Sequence, residues 1–248
     1  MRHTFRYLVG DEPREGQTLA LSPEDSRHLA RVVRRRAGDR LELIDGSGRL
    51  WSATVVATGP PATVRVGAPR PAPPPVPVTL YQGLVEAGRL DLVVEKAAEL
   101  GVARVALLAS ERARRLPAPD ALARRLERLR RVAAAAARQA GHGHLTRVEG
   151  LVPFDDALRE VRPGGGYLID ARGEQALTDA LGAAPASAAA LLVGPEAGFS
   201  DGELRAARAA GLTACRLGPA TLRSETAALV AMSLALGAAG RFGEAREG

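Results

Sequence analysis

Residues 67–77 read GAPRPAPPPVP, and six of these eleven residues are proline. Proline fixes φ and lacks an N–H, so the stretch favours extended polyproline backbone and is expected in neither a regular helix nor a central strand. It divides the chain into a shorter N-terminal part and a longer C-terminal part. The patterns on its two sides differ. Before it, Ser22-Pro23 sets a cap residue ahead of proline at a first helical position. Leu29, Val32 and Val33 form a narrow apolar stripe on that helix, with Arg27, Arg31, Arg34 and Arg35 on its other faces. RLELIDGSGRLWSATVV then reads as two β-rich runs joined by the Asp45-Gly46-Ser47-Gly48 hairpin signal, and ATVRV adds a third strand. A small β-barrel-like domain over residues 1–70 is expected.

Beyond the prolines the pattern alternates: VTLYQGLV, a helix through Leu90 to Leu100, VARVALLA, an Arg/Ala helix from about Pro119 to Ala140, GYLIDA and ALLVGPE. Such alternation implies parallel strands with crossover helices, an α/β domain over residues 71–248. Ser200-Asp201-Gly202-Glu203 has the form of a capping box and opens a helix through Ala210. TACRL is a short strand, and SETAALVAMSLALGAAG is a mostly apolar helix expected to be buried.

The 248 residues are 46% hydrophobic and 25% charged, which is globular composition, but only 3% aromatic, which makes base stacking on rings a poor basis for recognition. One cysteine, Cys215, excludes a disulfide framework and multi-cysteine metal sites. The N-terminus lacks the apolar core of a signal peptide, and the uncharged, mostly apolar stretch Thr226 to Gly240 is shorter than the roughly 20 residues of a membrane span. A soluble cytoplasmic protein without membrane association is expected.

The 34 basic residues are 33 Arg and Lys96 alone, a bias that reflects genome composition, so placement matters more than abundance. Residues 1–70 carry 12 Arg against 8 acids, a net of +4, and residues 111–138 carry 9 against 3, a net of +6. His142 and His144 have no nearby acidic or cysteine partners, so they read as an exposed loop and no metal site is expected. Cys215, in an apolar strand without a neighbouring histidine, reads as core.

No phosphate loop, dinucleotide fingerprint, zinc-protease helix or nucleophile elbow is present. What stands out is two Gly/Pro turns, Gly194-Pro195-Glu196-Ala197-Gly198 and Leu217-Gly218-Pro219-Ala220-Thr221-Leu222, each at the end of an expected strand. Strand ends in α/β sheets open the crevices where ligands bind, and glycine there lets a ligand approach backbone. Either turn alone could equally be a tight connection without a ligand.

The stretches HLARVVRRRAGDRLELIDGSG, VEKAAELGV followed by SER, the helix ending RQAG, LLVGPEAGFSDGE and LGPATLRSETAALVA come in the order found in the RsmE family, which the chain resembles over nearly its whole length. These are 16S rRNA uracil-N3 methyltransferases of the SPOUT superfamily. The resemblance implies a PUA-like RNA-binding domain followed by a SPOUT-type α/β domain with a C-terminal trefoil knot, roughly residues 165–240. It implies S-adenosylmethionine as cofactor, held by Gly194, Pro195, Glu196, Gly198, Leu217, Gly218 and Leu222, with Ile169 and Asp170 as weaker candidates. It further implies 16S rRNA as partner, within the assembled small ribosomal subunit, and a homodimer through the knot helices.

Three positions depart from the family pattern. Ala197 replaces a glycine, Ala220 stands where an arginine is usual, and AGHGHL follows Gln139 where an arginine commonly follows the glycine. Arg223 matches and is nominated to stabilise the developing uracil anion. Glu225 is either a proton acceptor, an organiser of Arg223, or an acid favourable to a helix start. Lys96 either pairs with Glu99 on one helix face or meets phosphate. The expected RNA surface is Arg27, His28, Arg31, Arg34 and Arg35, with Arg124, Arg125, Arg128 and Arg131 as a second patch. The alternatives are a noncatalytic RNA-binding or ribosome-assembly factor and a SPOUT methyltransferase with another RNA target.

Overall fold

The computed structural model describes residues 5–10, 13–113, 116–161, 164–183 and 188–243. The chain divides into two compact units, residues 1–74 with 134–145, and residues 75–133 with 146–248.

The first unit is built on a five-stranded sheet. Strands β1 (Arg6–Leu8), β2 (Thr18–Ala20), β3 (Arg40–Ile44), β4 (Arg49–Ala57) and β5 (Thr63–Pro71) lie in the order β1-β3-β4-β5-β2, antiparallel except for the β1–β3 pair. Asp45 makes the β3–β4 hairpin turn by accepting the Ser47 and Arg49 N–H groups at 2.9 and 3.2 Å, while its other oxygen accepts Trp51 Nε1 at 3.2 Å. Leu29, Leu41, Leu43, Trp51, Val55 and Val64 pack inside.

Helix α1 (Pro23–Arg27) starts as expected, with Ser22 Oγ accepting the Asp25 N–H at 3.0 Å. It then widens into one π turn over His28–Val32, closed by the Val33 N–H on the His28 carbonyl at 3.0 Å. The wider turn shifts the phase, so the expected stripe is corrected: Leu29 is buried but Val32 is 70% exposed. Arg34 ends the turn in left-handed backbone at φ 54°, which is uncommon for a residue with a Cβ.

The proline segment also needs correction. Pro69 and Pro71 pair with Trp51 and Arg49, so the strand runs into the prolines. This is tolerated because β2 pairs only with Thr63 to Arg65, which leaves that end of β5 with an open edge where a missing N–H breaks no ladder. The 142–144 loop is likewise not exposed: Gly143 is buried, His142 and His144 are half-buried, and His144 bridges to Ser47.

The second unit carries a seven-stranded, wholly parallel sheet. In chain order its elements are β6 (Val76–Gly83), α2 (Ala87–Leu100), β7 (Val102–Ala109), α3 (Pro119–Ala140, of which residues 134–140 group with the first unit), β8 (Arg147–Pro153), α4 (Phe154–Glu160) and β9 (Gly166–Ile169). After these come β10 (Gln175–Ala176), α5 (Leu177–Ala183), β11 (Ala189–Val193), α6 (Asp201–Ala209), β12 (Thr213–Arg216) and α7 (Ser224–Ala238). The strand order is β10-β12-β9-β11-β6-β7-β8. Buried on both faces, β7 and β11 read as near-continuous apolar runs, as central parallel strands do. Elements β8, α4, β10 and α5 are not among those expected from the sequence pattern. Cys215 is fully buried, and desolvation pushes its thiol up to about 11.

The strand register aligns one end of the sheet. Gln82 lies beside Val193, Val193 beside Ile169, and Ile169 beside Cys215, so four parallel strands reach the same level together.

Candidate active site

Because β6, β9, β11 and β12 end level, the segments leaving them are brought together at one edge of the sheet. Gly198 (φ 68°) and Gly218 (φ 129°) take positive φ in the two glycine turns, conformations a Cβ would strain. At the end of β6, Gly83 lies so close to the first turn that a Cβ there would stand 2.4 Å from Pro195 N and 2.6 Å from the Gly194 carbonyl carbon. The second turn leads into α7, whose first residue is tied to the first turn. Ser224 Oγ donates to the Gly194 carbonyl at 2.6 Å and accepts from Gln82 Nε2 at 2.8 Å, with Gln82 fully buried. Neither Gln82 nor Gly83 stands out in the sequence.

The result is a cleft of about 740 Å³. Ile169, Asp170, Gly194, Pro195, Glu196, Gly198, Leu217, Gly218, Leu222 and Arg223 all line it, as do Ala197 and Ala220. Three arginines not expected at this site, Arg89, Arg112 and Arg172, line it too.

The charges on its wall are committed unequally. Arg172 grips Asp170 with two side-chain nitrogens at 2.8 and 2.9 Å, Asp201 at 2.7 Å and the Phe199 carbonyl at 2.7 Å. Burial would raise the Asp170 carboxyl, but the Arg172 hydrogen bonds and charge hold it below the usual range. Its two oxygens are therefore occupied by protein donors. Arg89 pairs with Glu196 at 2.7 Å and stands 3.7 Å from Glu225. Arg223 is exposed, and its side chain makes no ion pair or hydrogen bond among the described residues.

Glu225 is off the cleft wall. Its carboxylate is buried in the first turn of α7, and among the described residues it pairs with Arg89 rather than Arg223 and its Oε2 has no hydrogen-bond partner. Glu203 closes the capping box with Ser200 and accepts the Glu111 N–H at 2.8 Å, which fixes the segment carrying Arg112.

The expected RNA residues differ in exposure and pairing. Arg27 and Arg31 are exposed, as is Arg34. Arg35 is half-buried with its guanidinium 5.0 Å from the Phe5 ring centre, and His28 Nδ1 lies 3.1 Å from Tyr7 Oη. Arg124 and Arg131 are exposed, and Arg128 pairs with Asp91. Lys96 reaches Glu95 and Glu99, both at 2.8 Å, so two carboxylates surround the single lysine.

A family model for an RNA methyltransferase domain matches residues 72–236, and one for an RNA methyltransferase PUA domain matches residues 21–66. The ribosomal RNA small subunit methyltransferase E of Mycobacterium tuberculosis (strain CDC 1551 / Oshkosh) is 35% identical over 235 residues, 91% of this chain and 88% of that protein. The protein of the same name from Bacillus subtilis (strain 168) is 26% identical over 245 residues, 94% and 95% of the two chains. Among solved structures, a putative methyltransferase from Legionella pneumophila in complex with SAM superposes with a TM-score of 0.84 at 28% identity, over 95% of this chain and 98% of that one. The Neisseria gonorrhoeae ribosomal RNA small subunit methyltransferase E bound to S-adenosyl methionine gives 0.82 at 27%, with the same coverage. The fold is thus mixed α/β, a PUA-like sheet preceding a parallel sheet of the SPOUT methyltransferase kind.

Proposed function

The chain belongs to the ribosomal RNA small subunit methyltransferase E family, and from that membership we propose that it methylates N3 of a uridine in 16S rRNA, with S-adenosylmethionine as donor. The observation that carries the reading is the pair of glycine turns tied together by Gln82, Ser224 and Gly194 around a cleft lined by Arg223, whose side chain has no ion pair or hydrogen bond among the described residues.

The residues fit the cofactor. The cleft is within the range of small-molecule sites, about 300–1,000 Å³. Its glycine turns, with Gly198 and Gly218 at positive φ, let an adenine and a ribose approach neutral backbone closely. Gly194, Pro195, Glu196, Gly198, Leu217, Gly218 and Leu222 would hold it, with Ile169 behind them. Asp170 acts through Arg172 and α6, since its oxygens are already taken. S-adenosylmethionine supplies an electrophilic methyl on a sulfonium sulfur.

N3 of uracil must lose a weakly acidic proton, which passes to solvent at the open cleft, and the charge spreads onto its two carbonyl oxygens. Arg223, exposed on the wall, is the cation assigned to that charge. Glu225 is assigned to holding Arg89, which in turn holds Glu196 in the first turn.

Further parts of the reading rest on arrangement. The placement of β12 outside β9, with α7 packed back on α2, α5, β6 and β11, supports a trefoil knot over residues 165–240. Half-buried Leu229, Val230 and Leu234 on the apolar α7 support a homodimer through that helix. The exposed arginines of residues 1–70 support an RNA-binding role for that domain, ahead of a methyltransferase domain over 71–248. No helix among the described residues is long and apolar enough to cross a membrane, and a cytoplasmic protein acting on assembled small subunits is the reading adopted.

Calorimetric binding of S-adenosylmethionine together with transfer of labelled methyl to unmodified small subunits tests the proposal. Binding with transfer supports it. Absence of cofactor binding contradicts it.

A further inference from the structure

A second cavity, of about 420 Å³, shares the Pro195-Glu196-Ala197 turn with the cleft, along with Arg89 and Arg112. Arg125 lines this cavity and not the cleft. The three arginines there are not equivalent. Arg89 pairs with both carboxylates of the lining, Glu196 at 2.7 Å and Glu86 at 3.7 Å. Arg112 gives one N–H to the Ala197 carbonyl at 3.3 Å, and Arg125 gives one to the Val85 carbonyl at 3.3 Å. Neither has a carboxylate within ion-pair distance among the described residues. A backbone carbonyl orients a guanidinium without cancelling its charge, and most of the five N–H donors of each remain unspent.

We propose that Arg112 and Arg125 bind a phosphodiester of the substrate RNA strand next to the nucleotide held in the cleft, an inference that rests on the RNA methyltransferase reading. Two guanidinium groups lining one cavity, neither ion-paired among the described residues, supply the donor chemistry that suits the two non-bridging oxygens of a phosphodiester. The cofactor's lone carboxylate is the other anion at hand. Arg125 argues against it, because that side chain is absent from the cleft wall. Arg112 lines both cavities and sits where a strand leaving the cleft would pass the turn.

The test compares full-length wild type with Arg112→Gln/Arg125→Gln and Arg112→Lys/Arg125→Lys. Affinity for protein-free 16S RNA and for unmodified small subunits is measured across salt concentration, and S-adenosylmethionine affinity on the same proteins. The glutamine pair is expected to flatten the slope of log affinity against log salt by about 0.7, since the two arginines share one phosphate and each phosphate contact on a single strand contributes roughly 0.7, while cofactor affinity stays within about twofold. The lysine pair restores the slope. Arg125→Gln alone, which loses only a carbonyl contact, gives about half the change and serves if the double variant folds poorly. An unchanged slope overturns the proposal, and an unchanged slope with weakened cofactor binding reassigns the arginines to the cofactor carboxylate. A flattened slope in a protein that transfers no methyl would uphold the phosphate site while removing the catalytic reading.

Discussion

Ser224 Oγ donates to the Gly194 carbonyl at 2.6 Å, joining the start of α7 to the end of β11 across thirty residues of chain. Gln82 Nε2 completes the tie from β6 at 2.8 Å. Ser224→Ala would take the hydroxyl donor from the buried Gly194 carbonyl and leave Gln82 Nε2 with only its bond to the Gly83 carbonyl at 3.0 Å, a loss of about 1–3 kcal/mol for such groups. Denaturant unfolding is expected to show that loss, with a weaker S-adenosylmethionine affinity measured by calorimetry. Unchanged values of both would mean that the two turns hold their places without the tie.

Gly83→Ala tests the close approach of β6 to the first turn. A methyl 2.4 Å from Pro195 N meets backbone, so the turn must shift. Overpacking of this kind costs roughly 1–3 kcal/mol. Cofactor binding is expected to weaken by at least about tenfold, since a displaced turn no longer presents its backbone correctly. Normal binding in a folded variant would show that the turn adapts.

Arg223→Ala separates binding from chemistry. The side chain has no protein partner among the described residues, so stability and cofactor affinity should stay near wild type while methyl transfer falls about 10²-fold or more, the range seen when one charge-stabilising donor is removed. Single-turnover rates with saturating RNA and cofactor measure it. Unaltered transfer would remove Arg223 from the reacting centre.

The Asp170–Arg172 pair predicts a dependence on acid. Arg172 holds the Asp170 carboxyl below its ordinary value of 3.8 in the folded protein, against the opposing effect of burial. A depressed folded value means the unfolded chain takes up the proton first. The pair's contribution is therefore full above the ordinary value and is lost as pH falls through the lower, folded one. Asp170→Asn should flatten that part of the stability-against-pH profile, read by thermal melting, and identical acid limbs would contradict the assignment.

Much of the fold is legible locally. The Ser200–Glu203 capping box, the Asp45 hairpin turn and the two glycine turns each depend on residues within a few positions of one another, and each forms as its spacing dictates. The departures have equally local causes. One π turn puts Val32 in solvent, and an unpaired edge allows Pro69 and Pro71 into a strand. What sequence spacing does not reveal is long-range. Gln82 and Gly83 meet the first turn and its tie, and Arg89 and Arg112 line the cleft, because parallel strands bring distant segments to one edge; of the four only Arg112 carries a local signal, as the last residue of the SER stretch. Arg172 does carry a signal, an Asp-x-Arg turn directly after β9, which the strand-end argument passes over because it weighs glycines rather than charges. Glu225 is visible as a charge in the first turn of α7, but its partner Arg89 lies on another helix.

The central claim, methylation of uracil at N3, is tested most directly by incubating the protein with S-adenosylmethionine and unmodified small ribosomal subunits, then identifying the modified nucleoside by mass spectrometry. The account predicts uridine methylated at N3, with the signal greatly reduced for Arg223→Ala. A different methylated nucleoside, or none despite measurable cofactor binding, would contradict it.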